Sequence, residues 1–317
     1  MQLVDVTLRD GGFTCDFDWP LEFAREYFKT VSNIPEIQYV ELGYWKQISK
    51  SQNRFFNLDF DTVCKITNAT GRRKACVMID YHYCSKNLSD YPTQSQNEIG
   101  MIRMTARKDM IDDAYEFAVK LKKHTQLKLA FNIFNTTNYT DLELDSVLDK
   151  VLKSDFDIIG FADTHGHLDL NKDISRYEKK FKRIKYVGKQ TCFHLHNHTG
   201  KAYMNYIKCL ESPYIDICDT SIGGLGKGAG NLKLENVLNI NNSLSLNTFI
   251  NKHYESLFKK TVSPYYLVTG RYGITDNYAT QAIKLNVDMN SFIEFCSIIS
   301  GLNRDNFDKM LLERFLA

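Results

Sequence analysis

Two histidines, two positions apart, are the residues in this chain best suited to chemistry. His194 and His196 lie in the run TCFHLHN (191–197), whose apolar and β-branched residues predict a strand. Because side chains alternate across a strand, both imidazoles point to the same face. Two imidazoles on one face can bind a single cation, although a pair of hydrogen-bonded core histidines would give the same pattern.

A charged pair near the start of the chain favours the metal-binding alternative. The run VDVTLRD (4–10) predicts a first strand that ends in Arg9 and Asp10 and is followed by a Gly-Gly pair. In a closed barrel of eight strands, the eighth lies between the seventh and the first, and neighbouring strands are about 4.8 Å apart. We therefore expect Asp10 to meet His194 and His196 over one end of the barrel.

A glycine-rich run, GGLGKGAGN (223–231), follows the eighth predicted strand. It lacks the GxxxxGK[ST] spacing of a phosphate-binding loop, so close approach of the backbone to a metal is the better interpretation. Asn231 would then add an amide oxygen to one carboxylate and two imidazoles. This mixed oxygen and nitrogen set favours Mn²⁺, Mg²⁺ or Co²⁺ with open positions for catalysis, and catalytic Zn²⁺ is an alternative.

Eight short apolar runs supply the strands that position this site. They are residues 4–10, 38–44, 75–80, 101–106, 127–134, 156–163, 191–197 and 214–221. Amphipathic helical patterns fill most of the intervals between them, as in LEFAREYFKTV (21–31) and MIDDAYEFAVKLKK (110–123). The alternation predicts an α/β fold, a (β/α)8 TIM barrel, and the absence of GxGxxG after the first strand weakens the doubly wound alternative.

The strand and helix alternation stops near residue 243. We therefore assign residues 1–243 to the barrel and residues 244–317 to a C-terminal helical region. The chain has five prolines and no Gly/Ser-rich linker, so this region is expected to pack on the barrel.

The polar run Trp45 to Asn57 follows the second predicted strand and contains Lys46, Lys50 and Arg54. Loops at that end of a barrel build active sites. The run is therefore either a lid that recognises an anionic substrate or a plain solvent loop.

Composition and charge exclude several classes of protein. The chain has 317 residues, of which 43% are hydrophobic and 25% charged, as expected for a folded domain with a substantial core. Its net charge of +2 creates no broad field for nucleic acid or an anionic membrane. The N-terminus lacks a signal-peptide pattern, and the eight cysteines are scattered without a CxxC pair. These features predict a cytoplasmic protein with reduced thiols.

Five motifs in this order resemble those of one enzyme superfamily. They are TLRDGG (7–12), VELG (40–43), ADTHG (162–166), HLHNHTGKA (194–202) and GGLGKGAGN (223–231). They are similar to motifs of the metal-dependent pyruvate aldolase and acyl-CoA lyase/synthase superfamily, which includes 4-hydroxy-2-oxovalerate aldolase, hydroxymethylglutaryl-CoA lyase and isopropylmalate synthase. The pattern is closest to that of 4-hydroxy-2-oxovalerate aldolase and covers residues 1 to about 240.

The resemblance implies roles for individual residues. The implied metal ligands are Asp10, His194, His196 and Asn231. Arg9 would face the enolate oxygen of the substrate, and Glu41 would orient Arg9 through an ion pair. Thr164 in the ADTHG motif would contact the substrate.

One position departs from the family pattern. The related aldolases carry an acid–base histidine after RDGx, but this chain has Phe13, and the RDGEQ motif of the synthases is also absent. His165, at the catalytic end of the sixth strand, is the expected substitute, with His167 and His82 as alternatives. Tyr278 in the helical region either reaches over the barrel mouth, as in some relatives, or packs in a core.

These observations predict a divalent-metal-dependent aldolase or lyase that makes or breaks a C–C bond through the enolate of a 2-oxo acid, with an aldehyde as the second reactant. A Claisen-type lyase or synthase that uses an acyl-CoA is the first alternative. A catalytically weakened barrel kept as a binding subunit is the second, because of Phe13. The resemblance also raises two partner expectations, a homo-oligomer and an aldehyde dehydrogenase docked on the helical region.

Overall fold

Eight parallel strands close into a barrel within the residues that the computed structural model describes, which are 1–45, 53–67, 74–94, 99–258 and 262–316. The strands follow chain order, and β8 pairs with β1. They are β1 Gln2–Asp5, β2 Ile37–Tyr44, β3 Ala75–Asp80, β4 Met101–Ala106, β5 Lys128–Ile133, β6 Ile158–Asp163, β7 Gln190–Leu195 and β8 Ile217–Thr220. The predicted TIM barrel is confirmed.

Amphipathic helices cover the outside of the barrel. They are α1 Leu21–Ser32, α2 Phe60–Thr67, α3 Ile111–Thr125, α4 Asp141–Val151, α5 Leu170–Tyr186, α6 Ala202–Glu211 and α7 Ile240–Leu257. Among the described residues between β3 and β4 there is no α-helix, and a 3-10 turn over Leu88–Asp90 is present instead. Helix α7 spans the boundary expected near residue 243 and packs on α1, where the Phe249 ring lies 5.5 Å from that of Phe23.

The first strand is shorter than its sequence pattern predicts. It ends at Asp5, and residues 7–10 form a turn. The Asp5 carboxylate accepts hydrogen bonds from the Thr7 hydroxyl (2.9 Å) and from the Tyr27 hydroxyl of α1 (2.7 Å). These bonds end the strand and fix the turn that carries Arg9 and Asp10 to the mouth of the barrel.

The barrel interior consists of an apolar layer below a polar layer. The apolar layer contains Val4, Val6, Tyr39, Cys76, Met101, Ala130, Ile158, Cys192 and Ile217. Residues two positions further along four of these strands face the same interior, because the side-chain period of a strand is two. They are buried and polar, namely Glu41, Arg103, Asn132 and Asp219.

Four helices follow α7 and share a small apolar core. They are α8 Tyr265–Tyr272, α9 Asn277–Lys284, α10 Met289–Ile298 and α11 Lys309–Leu316, all within the predicted C-terminal helical region. Tyr278 is fully buried and packs edge-on against Phe295 and Phe307, so its side chain is a core residue. None of the helices in the described part of the chain is long and apolar enough to cross a membrane.

Candidate active site

Asp10, His194 and His196 come together at the carboxyl end of the barrel. One ligand atom of each lies within 4.8 Å of the others, and all three side chains are buried. His194 lies in β7 and His196 one residue beyond its end. Their shared face is the one that the two-residue period of the strand predicts.

The two imidazoles face each other through their Nε2 atoms, which lie 3.1 Å apart. The Nδ1 atom of His194 lies 2.9 Å from Asp219 Oδ2, and that of His196 lies 3.2 Å from the carbonyl oxygen of Gly230. Because these oxygens only accept, both Nδ1 atoms carry the hydrogen and both Nε2 atoms present lone pairs. Facing lone pairs repel each other unless a cation binds both, so the geometry fits a divalent metal.

The charges of the site keep its ligands in their metal-binding forms. Burial lowers the pKa of His196 well below its usual value, and the charge of His194 adds to this effect. Burial alone would raise the pKa of Asp10, but the charges of Arg9 and the neighbouring histidines and the hydrogen bond from Asn231 together outweigh it, and the pKa is lowered. Neutral imidazoles and an ionised carboxylate are the forms that bind metals.

Asn231 is placed to complete the set of ligands. Its Nδ2 atom donates to Asp10 Oδ2 at 2.7 Å and to the carbonyl oxygen of Leu225 at 3.1 Å. Its Oδ1 atom is buried and has no hydrogen-bond partner among the described residues. A buried acceptor without a partner is unusual in a folded protein and is consistent with a metal ligand at this position.

The glycine-rich loop allows this close packing. A Cβ atom at Gly226 would lie 2.6 Å from Asp10 Oδ2 and would also clash with the Asn231 amide. Only glycine lets the backbone pass so near to both side chains.

Arg9 places a buried positive charge beside the metal ligands. Its Nε atom donates to Glu41 Oε2 at 2.6 Å, and its Nη1 atom donates to Asp10. The guanidinium carbon lies 5.8 Å from the centre of the Tyr44 ring. The ion pair with Glu41 that the sequence resemblance implies is therefore present in the structure.

Arg103 of β4 contacts both the carboxylate that binds Arg9 and the carboxylate that binds His194. The sequence analysis did not predict this residue. Its fully buried guanidinium donates to Glu41 Oε1 at 3.2 Å and to Asp219 Oδ2 at 2.6 Å. One cation therefore holds the carboxylate that orients Arg9 and the carboxylate that orients His194. The sequence did contain a signal for this pair. Arg103 in MIRMTA and Asp219 in YIDICDTS are charged residues at inward positions of otherwise apolar strands.

A cavity of about 490 Å³ opens above these residues. This volume lies within the range of about 300–1,000 Å³ typical of small-molecule sites. The predicted site residues that line it are Arg9, Asp10, Thr164, His194 and His196. Other residues, most of them polar or charged, also line the cavity and were not predicted. They include Tyr44, Met78, Asp80, Tyr83, Arg103, Thr105, Arg107, Asn132, Phe134, Asp219, Lys227, Thr275, Asn277 and Asp305.

The position of His165 does not match its expected role as acid–base group. Ala162 and Thr164 line the cavity, whereas His165, in the turn after β6, does not. His165 is only 1% exposed, and its Nε2 atom lies 3.0 Å from Asp305 Oδ1. Its ring packs edge-on against Phe134, which itself lines the cavity. His165 therefore lies behind the cavity wall.

The other candidate bases are also engaged or remote. His167 Nδ1 lies 2.9 Å from the carbonyl oxygen of Gly270, and the His82 side chain is exposed outside the cavity. Phe13 lines the cavity and packs edge-on against Tyr44 at 6.5 Å.

The predicted lid is described only at its ends. Lys46 and Lys50 lie outside the described residues, and Arg54 is exposed. Phe56 lines the cavity, so the C-terminal end of this loop reaches the site.

A family model described as HMGL-like matches residues 92–255, more than half of the 317 residues. No curated protein matches the chain in sequence. The N-terminal domain of a candidate aldolase from Bacteroides vulgatus superposes with a TM-score of 0.73 at 20% identity, covering 93% of this chain and 99% of that one.

The carboxyl transferase domain of Rhizobium etli pyruvate carboxylase superposes with a TM-score of 0.66 at 14% identity, covering 93% of this chain and 56% of that one. The same domain with pyruvate and biocytin gives a TM-score of 0.67 at 14% identity, with the same coverage. At such identities these structures demonstrate a shared fold only.

Proposed function

The chain belongs to the HMGL-like family, and from this premise we propose that it is a divalent-metal-dependent lyase that makes or breaks a C–C bond next to the carbonyl group of a 2-oxo acid such as pyruvate. The second reactant is an aldehyde. The observation that carries the proposal is the pair of imidazole Nε2 atoms, 3.1 Å apart, beside the carboxylate of Asp10.

The residues that would hold the metal are Asp10, His194, His196 and Asn231. When bound, a divalent cation polarises the carboxylate and carbonyl oxygens of a 2-oxo acid and neutralises the charge that develops as an enolate forms. The mixed donor set favours Mn²⁺, Mg²⁺ or Co²⁺, with Zn²⁺ as the alternative.

Arg9 provides a fixed positive charge for the same oxyanion. Glu41 holds its Nε atom at 2.6 Å, and Arg103 holds Glu41 in turn. The guanidinium is therefore in place before the substrate binds. Donors fixed in this way typically contribute about 3–4 kcal/mol to stabilising a developing negative charge.

The remaining wall of the cavity orients the substrate and excludes water. Phe13, Tyr44 and Met78 form an apolar surface beside the charged residues. The Thr164 oxygen accepts a hydrogen bond from the backbone N–H of Asn135 at 2.9 Å. This bond leaves the hydroxyl hydrogen of Thr164 available for a substrate oxygen.

Hydrogen exchange tests the proposal directly. Protein reconstituted with Mn²⁺ should exchange the methyl hydrogens of pyruvate for deuterium in D₂O, as measured by mass spectrometry of the pyruvate. The Asp10→Asn variant should lose this exchange, and Asp155→Asn, an exposed carboxylate on the barrel surface, should keep it.

Two outcomes would contradict the proposal. Exchange of acetyl-CoA but not of pyruvate would indicate a Claisen-type enzyme that uses an acyl-CoA. No exchange with any 2-oxo acid, with the metal bound, would favour a barrel that acts as a binding subunit.

A further inference from the structure

The site needs a proton carrier, and its histidines cannot serve. Among the described residues that line the cavity, the two histidines, His194 and His196, are both candidate metal ligands. Phe13 has no titratable group. Forming an enolate from pyruvate requires a base near the methyl carbon, so the candidates among the described residues are the carboxylates, phenols and amines of the cavity wall.

Most of the other titratable groups in the wall are already paired. Asp219 is ion-paired with Arg103 at 2.6 Å, and Asp305 lies 3.0 Å from His165. Burial would raise the pKa of both carboxyls, but the charges and hydrogen bonds around each carboxyl together outweigh it and the pKa of each is lowered. Lys227 is ion-paired at 2.7 Å with a buried carboxylate of the C-terminal helices. Such paired groups are poor bases.

Asp80 differs from these residues in its surroundings. Its Oδ1 atom accepts one hydrogen bond, from the backbone N–H of His82 at 3.0 Å, and the carboxylate has no ion pair with any described residue. Burial raises its pKa, although the nearby charges of Arg107, His82 and Lys227 oppose this effect. A carboxylate with a raised pKa is a stronger base than an ordinary one.

The register of β3 directs Asp80 into the cavity. It is the last residue of the strand, pairs with Thr105 of β4, and lies two positions after Met78. All three residues line the cavity. Asp10 and Tyr44 line the same cavity as Asp80.

Tyr44 and Tyr83 are the phenols of the wall. Burial raises the pKa of Tyr44, which therefore stays protonated and cannot act as a base at neutral pH. Tyr83 lines the cavity from the turn after β3 and is the remaining competitor.

We propose that the Asp80 carboxylate carries the proton to and from the carbon of the 2-oxo acid that forms the new bond. This inference rests on the proposed function. Asp80 takes a proton from the methyl carbon of pyruvate, the C–H electron pair forms the C2–C3 double bond, and the carbonyl electrons move to oxygen. The resulting carboxylic acid exchanges its hydrogen with water, and the reverse step returns it to carbon.

Two reactions pass through the same enolate, but only one of them needs a base. Comparing them separates the role of Asp80 from the roles of the other site residues. Deuterium exchange of pyruvate needs a base. Decarboxylation of oxaloacetate gives the same enolate by breaking the bond between C3 and the C4 carboxylate carbon and releasing CO₂, with no proton abstraction. The Mn²⁺-loaded Asp80→Asn variant should lose pyruvate exchange by about 10²-fold or more, the usual contribution of an acid–base group, and keep the larger part of its decarboxylation.

The control is Asp155→Asn, which removes an exposed carboxylate on the barrel surface outside the cavity. It should exchange pyruvate at the wild-type rate. Exchange retained in Asp80→Asn would overturn the proposal, and its loss in Tyr83→Phe would then assign the role to Tyr83. If wild-type protein shows neither reaction, the proposed function fails instead.

If Asp80→Asn loses both reactions, a further variant tests whether the missing carboxylate is the cause. Formate added to Asp80→Ala supplies a small carboxylate in the vacated volume. Restored pyruvate exchange would support Asp80 as the proton carrier, and no restoration would overturn it.

Discussion

The Nδ1 atom of His194 donates to Oδ2 of Asp219 across 2.9 Å, inside the barrel and away from the cavity mouth. Because the same oxygen accepts from Arg103 at 2.6 Å, the carboxylate stays ionised although it is fully buried. The ring of His194 is therefore held in the tautomer whose Nε2 lone pair faces His196.

Asp219→Asn should weaken metal binding by about 10- to 100-fold, the usual effect of losing the partner of a metal-binding histidine. An amide can donate to Nδ1 and so favours the wrong tautomer. Titration calorimetry with Mn²⁺ measures the affinity, with Asp155→Asn as an exposed control. Equal affinities for Asp219→Asn and wild type would show that Asp219 does not orient the ligand.

Arg103→Met should lower the free energy of unfolding of the metal-free protein by roughly 3–5 kcal/mol, because it leaves Glu41 and Asp219 buried with one partner fewer. Arg183→Met is the matched control, since Arg183 also pairs with two carboxylates but at the surface. Its cost should stay below about 1 kcal/mol. Urea unfolding measures both, and similar costs would contradict a buried ion network.

In protein loaded with Mn²⁺, Arg9→Ala should reduce turnover by about 10²- to 10³-fold and affect stability much less, since Arg103 still neutralises Glu41 and the cation would neutralise Asp10. The measurements are the rate of pyruvate exchange and the thermal midpoint of the same preparation. Arg25→Ala, which removes an exposed ion pair on α1, is the control. Near-normal turnover in Arg9→Ala would remove this residue from the mechanism.

Asp5 should contribute to stability in a way that weakens as the pH rises from about 4 to about 7. Burial raises the pKa of Asp5 from 3.8 to about 7. Between these values the folded state binds more protons than the unfolded state, so raising the pH favours unfolding. Asp5→Asn removes this pH-dependent contribution, so the variant should gain stability relative to wild type as the pH increases. Parallel urea-unfolding profiles of the two proteins against pH would show that Asp5 does not contribute.

The order of strands and the two histidines could be predicted because both depend on local periodicity. The run TCFHLHN contains a two-residue period, and the structure brings its imidazoles to one face. The position of Asp10 followed from barrel closure, although β1 ends earlier than its apolar pattern suggests. The end of β1 depends on a tertiary contact, the hydrogen bond between Asp5 and Tyr27 of α1, which no local sequence pattern contains.

The errors at the site have two physical origins. His165 was preferred for its place in a motif, but it lies in the turn after β6, where its buried ring contacts Asp305 and does not line the cavity as Thr164 does. Arg103 and Asp219 were visible as charged residues at inward positions of β4 and β8, but their pairing across the barrel needs the closed structure. Local periodicity gives the direction of a side chain and does not give its partner.

The candidate metal ligands and the mouth of the cavity come from different parts of the chain. Asp10, His194, His196 and Asn231 all precede the last helices, whereas Thr275, Asn277 and Asp305 line the cavity from the C-terminal side. A displacement of the C-terminal helices would therefore open the cavity and leave the four candidate ligands in place.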